Sequence, residues 1–386
     1  MKDLREFKIA IPDERLEDLA RRLRHTRWPD ADDEDGWDDG TSLRFARRLA
    51  DHWLHRFDWR AQESRLNQLP QYLAQVGGID IHFVHVRGRG PAPMPLILTH
   101  GWPGSFAEMA RLVPMLTDPA AHGGDAADAF DVVVPSLPGY GFSRPAPTGS
   151  GSARHVATLW RELMAGLGYP RFGAQGGDIG AGVSTWLARL HPESLAGVHL
   201  NFIPGGFRPS LEGGAPPLST EESAFLDRIA AWRAVEGGYL GVHATKPQSL
   251  AYGLADSPMG LAAWIVEKFR AWSDCGGDVE SAFTLDELLT DICLHWFGDV
   301  RASLRMYKDN FASPLVFAPG ERLTTPFAMA HFPREMPTPP RSWPERALDI
   351  RRWTEMPRGG HFAAMEQPEL LAQDLREFFR PLRPVT

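Results

Sequence analysis

Short continuous apolar runs, separated by stretches of helical periodicity, constrain this 386-residue chain more than any other feature of it. Leu96-Ile97-Leu98-Thr99 and Val132-Val133-Val134 lack the polar/apolar alternation of a half-exposed strand and suit strands covered on both faces. Val156, Leu159, Leu163 and Leu167 then share one helical face. A strand around Phe172, a Gly-rich turn, a helix near 180–191 and a strand over 195–202 follow. Strands alternating with helices predict a mostly parallel sheet layered by helices. Gly78 to Val86 reads as a further strand that ends in the turn Arg87-Gly88-Arg89-Gly90.

Residues 206–312 break this rhythm. Strand signals vanish, Ser219-Thr220-Glu221-Glu222 has the form of a capping box, and 262–272 and 285–296 read as helices. The alternation resumes with a strand at 325–330 and an amphipathic helix at 368–379 that carries Pro in its first turn. A helical block inserted into an α/β sheet is expected to lie over the catalytic face as a lid. Residues 1–75 are charged and rich in Arg and Trp. Leu16, Leu19, Ala20 and Leu23 mark a helix there, an acidic turn-prone stretch runs from Asp30 to Gly40, and no catalytic pattern is visible. The expected organisation is an extension at 1–75, the first half of an α/β core at 76–205, a helical lid at 206–312, and the second half of the core at 313–386.

The net charge of −8 and a pI near 6.0 argue against a nucleic-acid binder, which needs a basic face. Two cysteines, Cys275 and Cys293, are too few for a disulfide framework and fit a reducing compartment. The N-terminus has no apolar signal-peptide core, and no run approaches the ~20 apolar residues of a membrane span. A cytoplasmic protein without a membrane anchor is expected. The 13 Trp and 21 Phe suggest aromatic pocket walls beyond core packing.

Three motifs carry chemistry. Gly176-Gly177-Asp178-Ile179-Gly180, between a predicted strand and a predicted helix, has the small-x-nucleophile-x-small form of a nucleophile elbow. Small residues are needed because the turn is tight and the central backbone strained. Asp at its centre selects a carboxylate nucleophile, which attacks an sp³ carbon and forms an alkyl ester. His100-Gly101-Trp102-Pro103-Gly104-Ser105 directly follows the strand at 96–99. That is where a fold with such an elbow places its second oxyanion-hole loop, so the backbone amides of Trp102 and Ile179 are the candidate donors. His100 itself is expected to be structural. Gly359-Gly360-His361-Phe362 precedes the last helix, and the chain order nucleophile–acid–base singles out His361 as base among 14 histidines. Spacing leaves the orienting acid open among Glu335, Asp349 and Glu355. His122-Gly123-Gly124-Asp125 reads as a solvated turn, so no metal and no organic cofactor are expected.

Taken together these segments resemble the microsomal-type epoxide hydrolases of the α/β-hydrolase superfamily, which carry a characteristic N-terminal extension. The likeness runs through Phe7-Lys-Ile-Ala-Ile-Pro12 and Thr26-Arg-Trp-Pro29 in the extension, His100 to Ser105, and Pro135-Ser-Leu-Pro-Gly-Tyr-Gly-Phe-Ser143. It continues through the elbow, the lid segments Thr245-Lys-Pro-Gln248 and Asp256-Ser-Pro-Met-Gly-Leu261, and Gly359 to Glu366. The resemblance implies an epoxide substrate, small, hydrophobic or aryl, opened to a vicinal diol. It implies that two lid tyrosines, Tyr239 and Tyr307, hydrogen-bond the epoxide oxygen. It also puts the acid at Glu335, within Phe332-Pro-Arg-Glu335. The family commonly has Trp after the nucleophile; here Ile179 makes that pocket wall smaller and aliphatic, and Trp102 and Ile179 are expected to contact substrate. Bacterial members include detoxifying enzymes and enzymes of natural-product assembly such as enediynes, and both roles stay open. So do two uses of the extension, as a strap over the lid and as a homodimer surface.

Two other readings compete. A haloalkane dehalogenase also uses an elbow Asp, but takes halide-binding donors, usually with a Trp beside the nucleophile, and needs no tyrosine pair. A non-catalytic binding protein on the same fold has no reason to keep the whole machinery.

Overall fold

The computed structural model describes residues 1–383. Among them one sheet of nine strands runs in the order β1-β2-β3-β5-β4-β6-β7-β8-β9. The strands are β1 (Lys2–Phe7), β2 (Gln71–Val76), β3 (Ile79–Val86), β4 (Met94–Thr99), β5 (Phe130–Pro135), β6 (Phe172–Gly176), β7 (Leu195–Leu200), β8 (Pro326–His331) and β9 (Asp349–Glu355). From β5 to β9 every pairing is parallel, and β1, β2 and β3 join by antiparallel pairing at one side. The expected α/β-hydrolase fold with a mostly parallel central sheet is therefore present.

The strands form where the apolar runs lie. Every residue of β5 and β7 is buried, as both faces carry helices. β1 differs: Lys-Asp-Leu-Arg-Glu-Phe is exposed along nearly its whole length. It is an edge strand held by pairing on one side alone, and its charges suit an edge that must not recruit another chain. The segment 1–75 thus contributes two strands to the sheet, with its end inside β2, as well as the helices α1 (Asp13–Arg24), α2 (Leu43–His55) and α3 (Trp59–Leu66).

Between β7 and β8 the chain is helical, with α7 (Thr220–Glu236), α8 (Gly238–Thr245), α9 (Pro247–Asp256), α10 (Pro258–Trp272), α11 (Leu285–Phe297) and α12 (Val300–Phe311), after the core helices α4 (Leu112–Thr117), α5 (Ala153–Gly166) and α6 (Asp178–Leu190). Ser219 and Glu222 close a reciprocal capping box at the start of α7, and Pro247 and Pro258 sit in the first turns of α9 and α10, where a missing N–H costs nothing. The N-terminal extension lies against this lid. Thr41 Oγ1 donates to the Ala263 carbonyl at 2.7 Å, His52 Nε2 meets Asp286 at 2.7 Å, Arg22 reaches the Asp256 carbonyl at 2.8 Å, and Arg15 donates to the Phe297 carbonyl at 3.0 Å.

Strand order positions the site. The chain runs β4 to β5 toward one side of the sheet, then crosses back so that β6 pairs with β4 on the other side, with Thr99 beside Gly176. In an open parallel sheet the crevice at such a reversal is where ligands bind. The loops after β4 and β6, 76 residues apart at Trp102 and Asp178, emerge there side by side.

Candidate active site

The elbow after β6 is built by contact between glycines. A Cβ at Gly176 would lie 2.2 Å from the Gly180 carbonyl carbon, and one at Gly180 would lie 1.9 Å from the Thr99 carbonyl oxygen in β4. Asp178, at the first position of α6, sits at φ 46°, the left-handed region that a non-glycine residue occupies only under strain. That turn lifts the side chain out of the sheet toward the lid. A Cβ at Gly101 would strike Asp178 Oδ1 at 2.2 Å, so the loop after β4 needs glycine for its backbone to approach the carboxylate.

The two oxygens of Asp178 meet different partners. The Trp102 amide donates to Oδ1 at 2.8 Å, and Oδ2 lies 3.8 Å from His361 Nε2. Burial raises the carboxyl's pKa, opposed by the charge of His361 and by the amides of Trp102 and Ile179. Asp178, His361 and the Trp102 and Ile179 amides are thereby brought together from three separate segments. His100 pins the loop from behind: the Leu137 amide donates to its Nε2 at 3.2 Å, which leaves Nδ1 to donate to the Gly101 carbonyl at 3.0 Å.

His361 is buried. Its loop needs both preceding glycines: Gly359 has φ 103°, and a Cβ at Gly360 would meet the Trp272 carbonyl oxygen at 2.6 Å. The His361 amide donates to that same carbonyl at 2.9 Å, seating the loop on the end of α10. Glu335, just after β8, holds Nδ1 at 2.7 Å. Burial alone would lower the imidazole's pKa, but the adjacent charge and hydrogen bond of Glu335, with Asp178 beyond, raise it to about 9. Of the three acids that spacing left open, Glu335 alone reaches His361. Asp349 pairs with Arg351 at 2.9 Å, and the exposed Glu355 meets His331 at 2.6 Å.

The lid supplies the opposite wall. Tyr239 in α8 stacks on Trp102, with centroids 5.2 Å apart at 12°, and Tyr307 in α12 meets Tyr239 edge-on at 5.9 Å. Both are buried. Burial raises both phenol pKa values, and the charge of Asp178 adds to the rise. The Tyr307 hydroxyl has no hydrogen-bond partner. α12 is held in place by the loop after β5: the Tyr140 hydroxyl donates to the Ser303 carbonyl at 3.1 Å, and a Cβ at Gly139 would strike Ala302 at 2.4 Å. Ile179 is buried beside Asp178.

Several residues at the site were not visible as such in the sequence. His243, one helical turn after Tyr239, packs its ring 5.0 Å from Tyr307 and 4.8 Å from Trp102, and accepts from Trp264 Nε1 at 3.0 Å. Burial lowers its pKa to about 3, so it is a neutral spacer between the tyrosines. Lys268 lies over the Tyr239 ring at 5.0 Å, paired with Glu267 at 2.6 Å. Glu108 lines a cavity of about 20 Å³ shared with Gly104, Gln175, Asp178, Asn201 and His361. The i,i+4 spacing of Tyr239 and His243 was the one available signal; nothing local marked the others.

His122 and Asp125 lie in an exposed turn, where Asp125 caps the Ala127 amide at 2.9 Å. Among the described residues no three His, Cys, Asp or Glu side chains are grouped as for a metal ion, and no helix is long and apolar enough to cross a membrane.

Comparison with known proteins agrees with this geometry. The family model "Epoxide hydrolase N terminus" matches residues 4–109, and the model "alpha/beta hydrolase fold" matches 94–212. The chain is 48% identical over 380 residues to the "Putative epoxide hydrolase" of Stigmatella aurantiaca, covering 98% of this chain and 85% of that protein. It is 35% identical over 401 residues to Epoxide hydrolase 1 of Oryctolagus cuniculus, covering 97% and 88%. The solved Aspergillus niger epoxide hydrolase superposes with a TM-score of 0.85 at 29% identity, over 99% of this chain and 97% of that one. An Asp-centred elbow, a histidine loop beside it and a tyrosine-bearing helical insertion on this sheet, together with matches along nearly the full chain, identify it as an enzyme of the epoxide hydrolase family, within the α/β-hydrolase superfamily.

Proposed function

We propose that the enzyme opens small apolar or aryl epoxides to vicinal diols by way of an ester on Asp178. The observation that carries the reading is the split environment of that carboxylate, with Oδ1 on the Trp102 amide at 2.8 Å and Oδ2 facing His361 at 3.8 Å. Oδ2 attacks one ring carbon from the side opposite its C–O bond. That bond breaks, and the departing alkoxide takes a proton from Tyr239 or Tyr307. The aromatic walls formed by Trp102, Tyr239, Trp272 and Tyr307 suit an apolar substituent on the ring.

Ester formation cancels the charge of Asp178, one of the charges that hold His361 protonated. The imidazolium then returns a proton to the tyrosinate and becomes a base. His361 Nε2 takes a proton from water, whose oxygen bonds to the Asp178 carbonyl carbon. The carbonyl electrons move onto Oδ1, where the Trp102 and Ile179 amides hold the charge. Collapse breaks the ester C–O bond, the diol oxygen takes the proton from His361, and the new carboxylic acid gives its own proton back to His361. Glu335 keeps the ring in the orientation these transfers require.

A single turnover with styrene oxide in ¹⁸O water tests this. Label is expected in the peptide containing Asp178, and the His361→Gln variant is expected to accumulate ester without releasing diol. Diol formed from an unlabelled elbow peptide would sink the covalent route. Halide release from a haloalkane without any diol from epoxides would sink the substrate class.

A further inference from the structure

The ester route needs a water molecule fixed against the Asp178 carbonyl carbon, and a single base does not fix one. His361 Nε2 takes one of the water's two protons, and the other is left to rotate. The cavity of about 20 Å³ beside Asp178 and His361 is large enough for one water, and Glu108 is the carboxyl in its wall that the mechanism has not used. Glu108 follows the oxyanion loop, in the short helical turn Phe106–Ala110. Its side chain folds back over Gly104: a Cβ built at Gly104 would coincide with Glu108 Oε1, at 1.1 Å. The loop carries glycine there, and the space a side chain would fill is taken by this carboxyl.

We propose that Glu108 is the second acceptor for the hydrolytic water, holding it with His361 Nε2 in this cavity against the Asp178 carbonyl carbon. The proposal rests on the ester reading above. Burial pushes the Glu108 pKa well up, the charges of Asp291 and Asp178 push it the same way, and His361 offsets only part. Asp291 in α11 is itself buried, with neither carboxyl oxygen hydrogen-bonded. Burial and the neighbouring Asp291 both favour its neutral form over the carboxylate. A neutral carboxyl offers its carbonyl oxygen to the water's second O–H. It neither competes with His361 for the first proton nor repels the negative charge that develops on Oδ1. Both water protons are then engaged, and the oxygen lone pair is left aimed at the carbonyl carbon.

The test is transient kinetics with styrene oxide on the full chain, following ester formation and ester hydrolysis separately. Glu108→Leu is expected to alkylate Asp178 at the wild-type rate and to hydrolyse the ester roughly 10- to 100-fold more slowly. Ester then accumulates, kcat and KM fall together, and kcat/KM is unchanged. Glu108→Gln keeps a carbonyl acceptor and is expected to restore most of the hydrolysis rate. Unchanged hydrolysis in Glu108→Leu, equal slowing of both steps, or a Gln variant as slow as the Leu variant would overturn the proposal. Should Glu108→Leu fail to fold, Gly104→Ala displaces the carboxyl with Glu108 still present and is expected to show the same hydrolytic defect; wild-type hydrolysis in it would overturn the proposal. Absence of any ester in the wild-type enzyme would instead overturn the reading beneath it.

Discussion

Gly180→Ala tests how far the chemistry depends on packing at the elbow. The added methyl would sit 1.9 Å from the Thr99 carbonyl oxygen and 2.6 Å from its carbonyl carbon. Both are backbone atoms of β4, in the middle of the sheet, and neither can rotate away. To bring the nearer contact out to the 3.4 Å of ordinary van der Waals packing, the start of α6 must move from β4 by about 1.5 Å. The Trp102–Asp178 hydrogen bond, at 2.8 Å, spans that same gap, and such a shift stretches it beyond bonding distance. Loss of one oxyanion donor costs ~2.7–4 kcal/mol, about 10²- to 10³-fold in kcat, and overpacking costs roughly 1–3 kcal/mol of stability. The control is Gly182→Ala, two residues further along α6. Its methyl would meet Ala153 Cβ at 3.5 Å, an ordinary contact, and alanine is favoured over glycine in a helix by about 0.8–1.0 kcal/mol. Steady-state diol formation and urea unfolding of the two variants are the assays. Gly180→Ala is expected to lose both activity and stability, and Gly182→Ala to keep the first and gain slightly in the second. A Gly180→Ala variant with kcat within tenfold of wild type would refute the claim that backbone contact between β4 and α6 sets the oxyanion geometry.

Tyr239→Phe and Tyr307→Phe are each expected to slow ester formation roughly 10- to 100-fold, as the other hydroxyl still serves the leaving oxygen, and the double variant to abolish it; stopped-flow tryptophan fluorescence reads the step directly. The charge of Glu335 opposes the lowering of the His361 pKa by burial, so Glu335→Gln should shift the acid limb of the ester-hydrolysis rate to lower pH while reducing its plateau; a limb that stays in place would remove Glu335 from its role. Arg346, in the turn before β9, pairs at 2.7 Å with the buried Glu222 of the lid and holds its pKa down at about 2. A depressed carboxylate contributes stability that is fully present above its unfolded value near 4.5 and is lost as pH falls toward 2. Arg346→Met strands a buried carboxylate and should cost roughly 3 kcal/mol at neutral pH, with a shallower loss of stability in acid, measured by urea unfolding between pH 3 and 7.

What the sequence determined by itself is what arises between near neighbours in the chain. The elbow was legible because Gly176 and Gly180 touch each other across five residues, and that contact permits few side chains. The capping box of α7 joins residues three apart, and the buried parallel strands announced themselves by unbroken apolar runs. Edge strands leave no such trace. β1 is exposed and charged, so it has no hydropathic pattern to read, and only its pairing to β2 makes it a strand. The tertiary structure decided everything that depends on which distant segments become neighbours. Trp102 meets Asp178 because β4 and β6 are adjacent although β5 intervenes in sequence. Glu335, and not Glu355 or Asp349, faces His361 because the turn after β8 aims it there, while the ends of β9 point at other partners. Glu108 is one acidic residue among many until its backward fold over Gly104 puts it in the wall of the cavity beside Asp178. Side-chain direction at the end of a strand or turn is set by packing against segments far away in the chain, and local periodicity carries no information about it.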